Sequence, residues 1–193
     1  MRDIDIRRAL LNEMSTRHAN EPDTLIVEEL GLCQGIARVD LAVVNGTVHG
    51  YEIKSERDTL DRLAGQCEVY NRTLEFITVV AAPSHLKKIR ETVPQWWGIW
   101  VAESRSGTIN LHVKRQARKN PQLVAVAVAQ FLWRDEALQL LTEHNLSVGM
   151  KSKSRQELWN RIVSAFTLEE LGDIVRKRLK SRGEAWRVPS LQA

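Results

Sequence analysis

Three ionisable side chains in the stretch from Ile36 to Tyr70 stand where apolar strand residues are expected: Asp40, Glu52 and Lys54. Core-facing strands seldom carry such groups unless the groups have a partner or a task. Two carboxylates and an amine close together suit hydrolysis of a phosphodiester. That reaction needs a hard divalent cation to neutralise the phosphate and lower the pKa of the attacking water. Magnesium (Mg2+), or manganese (Mn2+) in its place, takes oxygen ligands, typically one or two carboxylates with waters and substrate phosphate. Asp40 and Glu52 are the candidate carboxylates, helped by the Ile53 carbonyl. Lys54, two residues beyond Glu52, points to the same face of its strand. An ammonium there orients the water or stabilises charge developing in the transition state.

The intervening turn decides whether these groups can meet. A two-residue turn at Asn45-Gly46 pairs Val44 with Thr47 and turns Asp40 away from Glu52 and Lys54. A three-residue loop, Asn45-Gly46-Thr47, pairs Val44 with Val48 and Asp40 with Glu52. Asp40, Ala42, Val44, Val48, Gly50, Glu52 and Lys54 then line one face. The three-residue loop, or an equivalent bulge, is therefore expected. The plainer alternative is a surface hairpin whose Asp, Glu and Lys are solvated or paired with one another.

The pattern D…E-x-K after a short hairpin resembles the PD-(D/E)XK (restriction-endonuclease-like) nuclease superfamily over residues 1–82. Within it the chain is similar to a group of bacterial proteins through ELGLCQG, ARVDLAVVNG, HGYEIKS and LWRDEALQLL. The resemblance implies an α/β fold: an α-β-β-β-α-β core with a mixed central sheet flanked by helices, followed here by a C-terminal helical appendage. It implies a magnesium-dependent deoxyribonuclease with Asp40 and Glu52 on the metal and Lys54 assisting the water. Members of the superfamily often place a Gln or Tyr near the scissile phosphate from the next helix, which points to Gln66 and Tyr70. Auxiliary acidic ligands are Glu29, the glutamate followed by Leu-Gly, and Glu13 on the first helix. Many such nucleases act as dimers. The proline that often precedes the Asp is Val39 here.

Elsewhere the sequence sets the frame. A chain of 193 residues suits one domain with an appendage, or two small ones. Cys33 and Cys67 have no metal-ligand spacing and are too few for a disulfide framework. The five histidines show none either, and His49 near the turn is expected to face solvent. No run of 18 apolar residues occurs and the amino terminus is charged, so a cytoplasmic protein without a membrane partner is expected.

An amphipathic helix is expected over 3–18, with Ile6, Leu10, Leu11 and Met14 inward and Arg7, Arg8 and Arg17 solvated. A strand follows over 24–32, with Glu28 and Glu29 on opposite faces. Arg38 shares a face with Asp40, as its charge partner or as a phosphate contact. After Lys54, Asp58 or Thr59 caps a helix running to about Thr73. On it Leu60, Leu63, Cys67 and Tyr70 form the apolar stripe, with Tyr70 foremost a core aromatic, and the Gln66 amide wants a partner. The continuous apolar strand 76–82 completes a crossover unit with its parallel neighbour. A short helix over 84–93 and a second hairpin follow, with Trp96, Trp97 and Trp100 as packing residues.

Residues 1–118 form the expected nuclease-like domain and balance 16 Lys/Arg against 16 Asp/Glu. Residues 119–193 hold 12 against 8 and carry the whole net charge of +4. After a linker, KRQARKNP, three helices are expected, at about 121–144, 154–165 and 168–182, the last opened by a capping box at Thr167–Glu170. Arg176, Lys177, Arg178, Lys180 and Arg182 end that helix. With Lys151, Lys153 and Arg155 they form a candidate phosphate-contacting patch; the plainer alternative is cation placement near a helix carboxyl end, favoured by the helix dipole. Three functions remain open: a DNA nuclease, a nucleic-acid-binding module without turnover, and a phage- or island-borne interaction protein.

Overall fold

The computed structural model describes residues 1–182. Its elements run α1 (Asp3–Arg17), β1 (Leu25–Leu32), β2 (Ala37–Val44), β3 (Val48–Lys54), α2 (Leu63–Thr73), β4 (Phe76–Ala81), α3 (Leu86–Thr92), β5 (Gly98–Arg105) and β6 (Thr108–Arg115). Four short helices follow: α4 (Ala125–Ala129), α5 (Arg134–Glu143), α6 (Arg155–Val163) and α7 (Leu168–Ser181). The strands form one mixed six-stranded sheet in sequence order. β3, β4 and β5 run parallel, and the flanking pairs are antiparallel.

The side-chain period of two sorts the sheet into two apolar faces. Leu41, Val43, Tyr51, Ile53, Val80 and Trp100 pack against Ile6, Leu10 and Met14 of α1. Ala42, Val44, Val48, Ile77, Val79 and Ile99 face α2, α3 and the C-terminal helices, where Leu132, Leu141, Trp159, Leu171 and Val175 join the same core. The helices after residue 118 thus bury their apolar faces on the sheet itself. The end of the expected 119–193 region, residues 183–193, lies outside the described residues.

The β2–β3 loop has the expected length. Val44 pairs with Val48, and Asn45, Gly46 and Thr47 close the turn, with the Asn45 amide donating to the Thr47 carbonyl at 3.0 Å. Gly50 next to it is required by close approach: a Cβ there would come within 2.6 Å of the Leu74 side chain that seals the end of α2.

Several expectations are corrected. Asp58 does not cap α2; it accepts the Ser55 amide and hydroxyl, both at 2.7 Å, and the helix starts later, at Leu63. The single helix expected at 121–144 is two, because Phe131 and Leu132 turn into the core and the Trp133 amide starts a new helix on the Glu136 carboxylate. The expected linker is pinned down: the Arg118 and Asn120 amides donate to the carbonyls of Trp96 and Glu75, and buried Asn120 also donates from its side chain to the Asn71 and Leu74 carbonyls. His49 does not face solvent; it stacks on Tyr51 and its Nε2 lies 2.9 Å from the Thr78 hydroxyl.

Candidate active site

The chemistry-bearing residues gather where β2 and β3 part. Their ladder runs from Val44↔Val48 to Leu41↔Tyr51 and stops one residue short of Asp40. In place of a backbone pair, Asp40 uses Oδ2 to accept the Ile53 amide at 2.7 Å. Asp40 is therefore held beside Glu52 by its side chain, not by the strand ladder. On the other side, β1 pairs Glu28 with Leu41 and Leu30 with Val39, so Glu29 stands opposite Asp40. Glu29 has φ 54, a left-handed conformation that interrupts the strand at this point.

Glu52 and Lys54 are the buried half of the site, at 2% and 5% exposure. Lys54 Nζ donates to Glu52 Oε1 at 2.7 Å and to Gln66 Oε1 at 3.1 Å. Gln66 Nε2 donates to the same Glu52 oxygen at 2.6 Å. The Tyr70 hydroxyl lies 2.6 Å from Glu52 Oε2 and 2.7 Å from the Arg38 carbonyl. Burial, then the Glu52 charge, push the Tyr70 phenol up, so it stays protonated and donates. Gln66 and Tyr70, one helical turn apart on α2, thus set the rotamer of Glu52 and the position of Lys54. Tyr70 is fully buried and has no route to a phosphate; it is a positioning residue, and its expected role at the nucleic acid is corrected.

Asp40 has a different environment. Burial first, and the Glu52 charge second, raise its carboxyl to about 7, against the Ile53 amide and Arg7, which both lower it. Arg7 contributes Nη2 to Asp40 Oδ1 and Nη1 to the Asp40 carbonyl, both at 2.9 Å. The same guanidinium lies 3.0 Å from Glu29, 3.8 Å from Glu28 and 3.3 Å from Asp3. Burial opposes the Arg7 charge, but Asp40, Asp3 and Glu29 outweigh it and hold the guanidinium above its ordinary value. Arg7 was expected in solvent; it is the central counter-ion of the site. Its one sequence signal is its place beside Ile6 on the edge of the buried stripe of α1, four residues after Asp3.

The remaining expected residues fall into two groups. Glu29 approaches Asp40 as expected, although through Arg7, which it shares with Glu28. The expected opposite-face separation of Glu28 and Glu29 is lost at the left-handed residue. Arg38 pairs with Glu29 at 3.5 Å, not with Asp40, and stays largely exposed at the rim. Glu13 is removed from the site: it pairs with Arg17 at 2.6 Å and lines a separate groove between α1 and β6. Asp3 is the α1 acid that lines the site.

The basic patch does not assemble as expected. Arg176 is bound to Glu75 at 2.8 Å and to Asp173, Arg178 to Glu143 at 2.8 Å, Lys180 to Asp23, and Arg182 to Glu136 at 2.6 Å. Those cations fasten α7 to the rest of the fold. Lys153 pairs with Glu157 at 3.0 Å, while Lys151, Arg155 and Lys177 are exposed.

Asp3, Glu29, Asp40, Glu52, Lys54 and Gln66 line one polar cavity of about 670 Å³, with Arg38 and Arg62 on its walls. A pair of carboxylates on the wall of such a cavity is a donor set of the kind magnesium takes, with water and phosphate oxygens filling its shell. No group of three His, Cys, Asp or Glu side chains among the described residues is placed to share a metal ion. Any metal held here would rest on the Asp40–Glu52 pair.

Fold and site together define a mixed α/β protein with a buried acid–lysine cluster at a strand fork. The chain belongs to the bacteriophage P4 protein cII family, whose model matches residues 1–187. It is similar to protein cII of Enterobacteria phage P4, with 24% identity over 185 residues, covering 96% of this chain and 69% of that protein. Among solved structures it is similar to the SPO1766 protein of unknown function from Silicibacter pomeroyi, at 18% identity and a TM-score of 0.41, covering 72% of this chain and 90% of that one. No helix among the described residues is long and apolar enough to cross a membrane.

Proposed function

We propose that this phage P4 cII family member is a metal-dependent nuclease of the PD-(D/E)XK kind, hydrolysing DNA phosphodiesters in the cavity of Asp40, Glu52 and Lys54. The observation that carries the reading is the convergence of Asp40, Glu52 and Lys54 on one cavity at the strand fork, with Asp40 tied to the Ile53 amide and Lys54 to Glu52. Burial first, and the Glu52 charge second, raise the Asp40 carboxyl even with Arg7 beside it, and a bound cation would favour its charged form. Asp40 and Glu52 would hold magnesium, which would supply the charge that neutralises the phosphate and lowers the pKa of the attacking water.

The chain's own residues do the rest. Lys54 Nζ, fixed between Glu52 and Gln66, presents an ammonium to the water or to the pentacovalent phosphate. Tyr70 and Gln66 hold Glu52 in one rotamer, so that its carboxylate is oriented before substrate arrives. Arg7 holds Asp40 from the α1 side, and Arg38, exposed at the rim beside Glu29, would contact a non-bridging phosphate oxygen.

A second reading has its own support. All four carboxylate oxygens of Asp40 and Glu52 already accept a hydrogen bond from the protein. A phage protein that keeps this fold to bind nucleic acid or a protein partner, without turnover, uses the cluster as a structural lock. Magnesium-dependent cleavage of DNA, lost in Asp40→Ala and Lys54→Ala variants that still fold, selects the nuclease. DNA binding without cleavage under any divalent cation selects the second reading.

A further inference from the structure

A second cavity of about 410 Å³ adjoins the first and shares Glu29, Gly35 and Arg38 with it. Its far wall comes from the C-terminal helices: Leu132, Trp133, Arg155 and Arg182. Of the five described tryptophans, Trp96, Trp97, Trp100 and Trp159 are buried, whereas Trp133 is 53% exposed. An exposed indole beside a cavity offers an aromatic face on which an unstacked base can lie. Trp133 is also held firmly. Its amide donates to Glu136 at 2.8 Å, and the Arg182 guanidinium lies 4.2 Å from its ring centroid. Arg182 is in turn bound to Glu136 and to the Phe131 carbonyl.

The charged residues lining this cavity are Glu28 and Glu29 on its floor and Arg38, Arg155 and Arg182 around it. Glu29 pairs with Arg7 and Arg38, Glu28 lies 3.8 Å from Arg7, and Arg182 is bound to Glu136. Arg155 forms no ion pair among the described residues and is exposed at the lip. A rigid aromatic platform beside an unpaired guanidinium, opening onto a phosphodiester cleft, matches a strand whose bases are unstacked. Duplex bases are already stacked on their neighbours and offer no free face; single strands do.

We infer that this second cavity seats an unpaired nucleotide of single-stranded DNA, its base on Trp133 and its phosphate at Arg155, as the strand leaves the cleft past Arg38. The inference deepens the nuclease reading and rests on it for the direction of the strand. It assigns the substrate class: single strands, or duplexes with an unpaired end or flap.

The test is fluorescence anisotropy of labelled oligothymidylate and of a duplex of equal length, in EDTA, so that binding is read without cleavage. Trp133→Ala should weaken oligothymidylate binding by about ten-fold, the loss of one stacked base. Trp133→Phe should keep most of the affinity, and Arg155→Ala should lower the slope of log affinity against log salt by about one. Duplex affinity should move by less than about two-fold in the Trp133 variants, a change small beside the loss of one stacked base. Equal losses for single strand and duplex, or unchanged oligothymidylate affinity in both Trp133 variants, overturn the inference. If Trp133→Ala does not fold, Trp133→Leu carries the test on the same terms. Cleavage in magnesium is scored separately. A protein that binds through Trp133 but never cuts refutes the nuclease and leaves the cavity assignment; one that cuts with Trp133 indifferent refutes the cavity assignment alone.

Discussion

Arg7 and Asp40, 33 positions apart in sequence, are joined twice: Nη2 to the carboxylate and Nη1 to the backbone carbonyl, each at 2.9 Å. The pair fixes α1 to the strand fork, and with 13% of its side chain exposed Arg7 is the cation that four carboxylates share. Removing it leaves part-buried acids facing one another. Arg7→Ala is expected to cost about 2 kcal/mol of stability, between the values for an exposed and a buried pair. Urea denaturation checks it; a loss below about 1 kcal/mol, the value of an exposed pair, would make Arg7 an ordinary surface residue.

Asp40→Asn tests the same pair through its pH dependence. Between the ordinary value of 3.8 and about 7, the folded protein keeps a proton on Asp40 that the unfolded chain has released. Wild-type stability therefore falls, through this group, as pH rises across that window. Asparagine carries no charge and its amide oxygen still accepts the Ile53 amide. The lost Arg7 pair sets a constant offset, but the stability of the variant in EDTA relative to the wild type should rise from pH 4 to pH 7. A difference that does not change with pH contradicts the raised Asp40 carboxyl.

His49 sets the acid limb. Burial, then the charges of Arg17 and His18, depress its imidazole to about 3 from an ordinary 6.5. Between those values the unfolded chain takes a proton that the folded protein refuses, so this contribution is lost as pH falls. His49→Gln should flatten the decline in stability below pH 6.5. The Asp40 and His49 effects oppose one another between about pH 4 and 6.5, so the curves of the two variants must be compared with the wild type one at a time.

Tyr70→Phe tests the positioning of Glu52. It keeps the stack on Trp97, at 6.0 Å between centroids, and removes the hydroxyl that serves Glu52 and the Arg38 carbonyl. A cost of about 1–3 kcal/mol is expected for the acceptors left without a donor. In the nuclease reading the variant also loses turnover without a matching change in DNA affinity.

The C-terminal cations separate into structural and free ones. Arg176→Ala leaves Glu75 without its cation although Glu75 also accepts the Val48 amide, and it should destabilise by about 2 kcal/mol. Lys177→Ala, exposed and unpaired among the described residues, should fall within about 0.5 kcal/mol of the wild type. Equal effects in denaturation would mean that the α7 clamp is not what holds the helix.

The contrast between these residues shows where local reading succeeds. The register of Val44 against Val48 was legible because loop length and the period of two leave only one solution that puts Asp40, Glu52 and Lys54 together. Gln66 was legible because an amide on an apolar stripe needs a partner, and it has three. Arg7 was not, because an arginine beside a buried isoleucine looks like any solvated helix residue until the helix is laid on its strand. The basic tail misled for the same reason. Its acids, Asp23, Glu75, Glu136 and Glu143, lie 35 to 157 positions away and no local window contains both partners. The kinks at Glu29 and before Trp133 carry no glycine or proline; tertiary packing imposes them.

The most direct measurement is isothermal titration of magnesium into the folded protein, wild type against Asp40→Asn and Glu52→Gln. The expected result is one saturable site in the wild type that disappears in both variants while their far-UV circular dichroism is unchanged. Saturable binding that survives loss of both carboxylates, or none at millimolar magnesium in the wild type, contradicts a cation seat between Asp40 and Glu52.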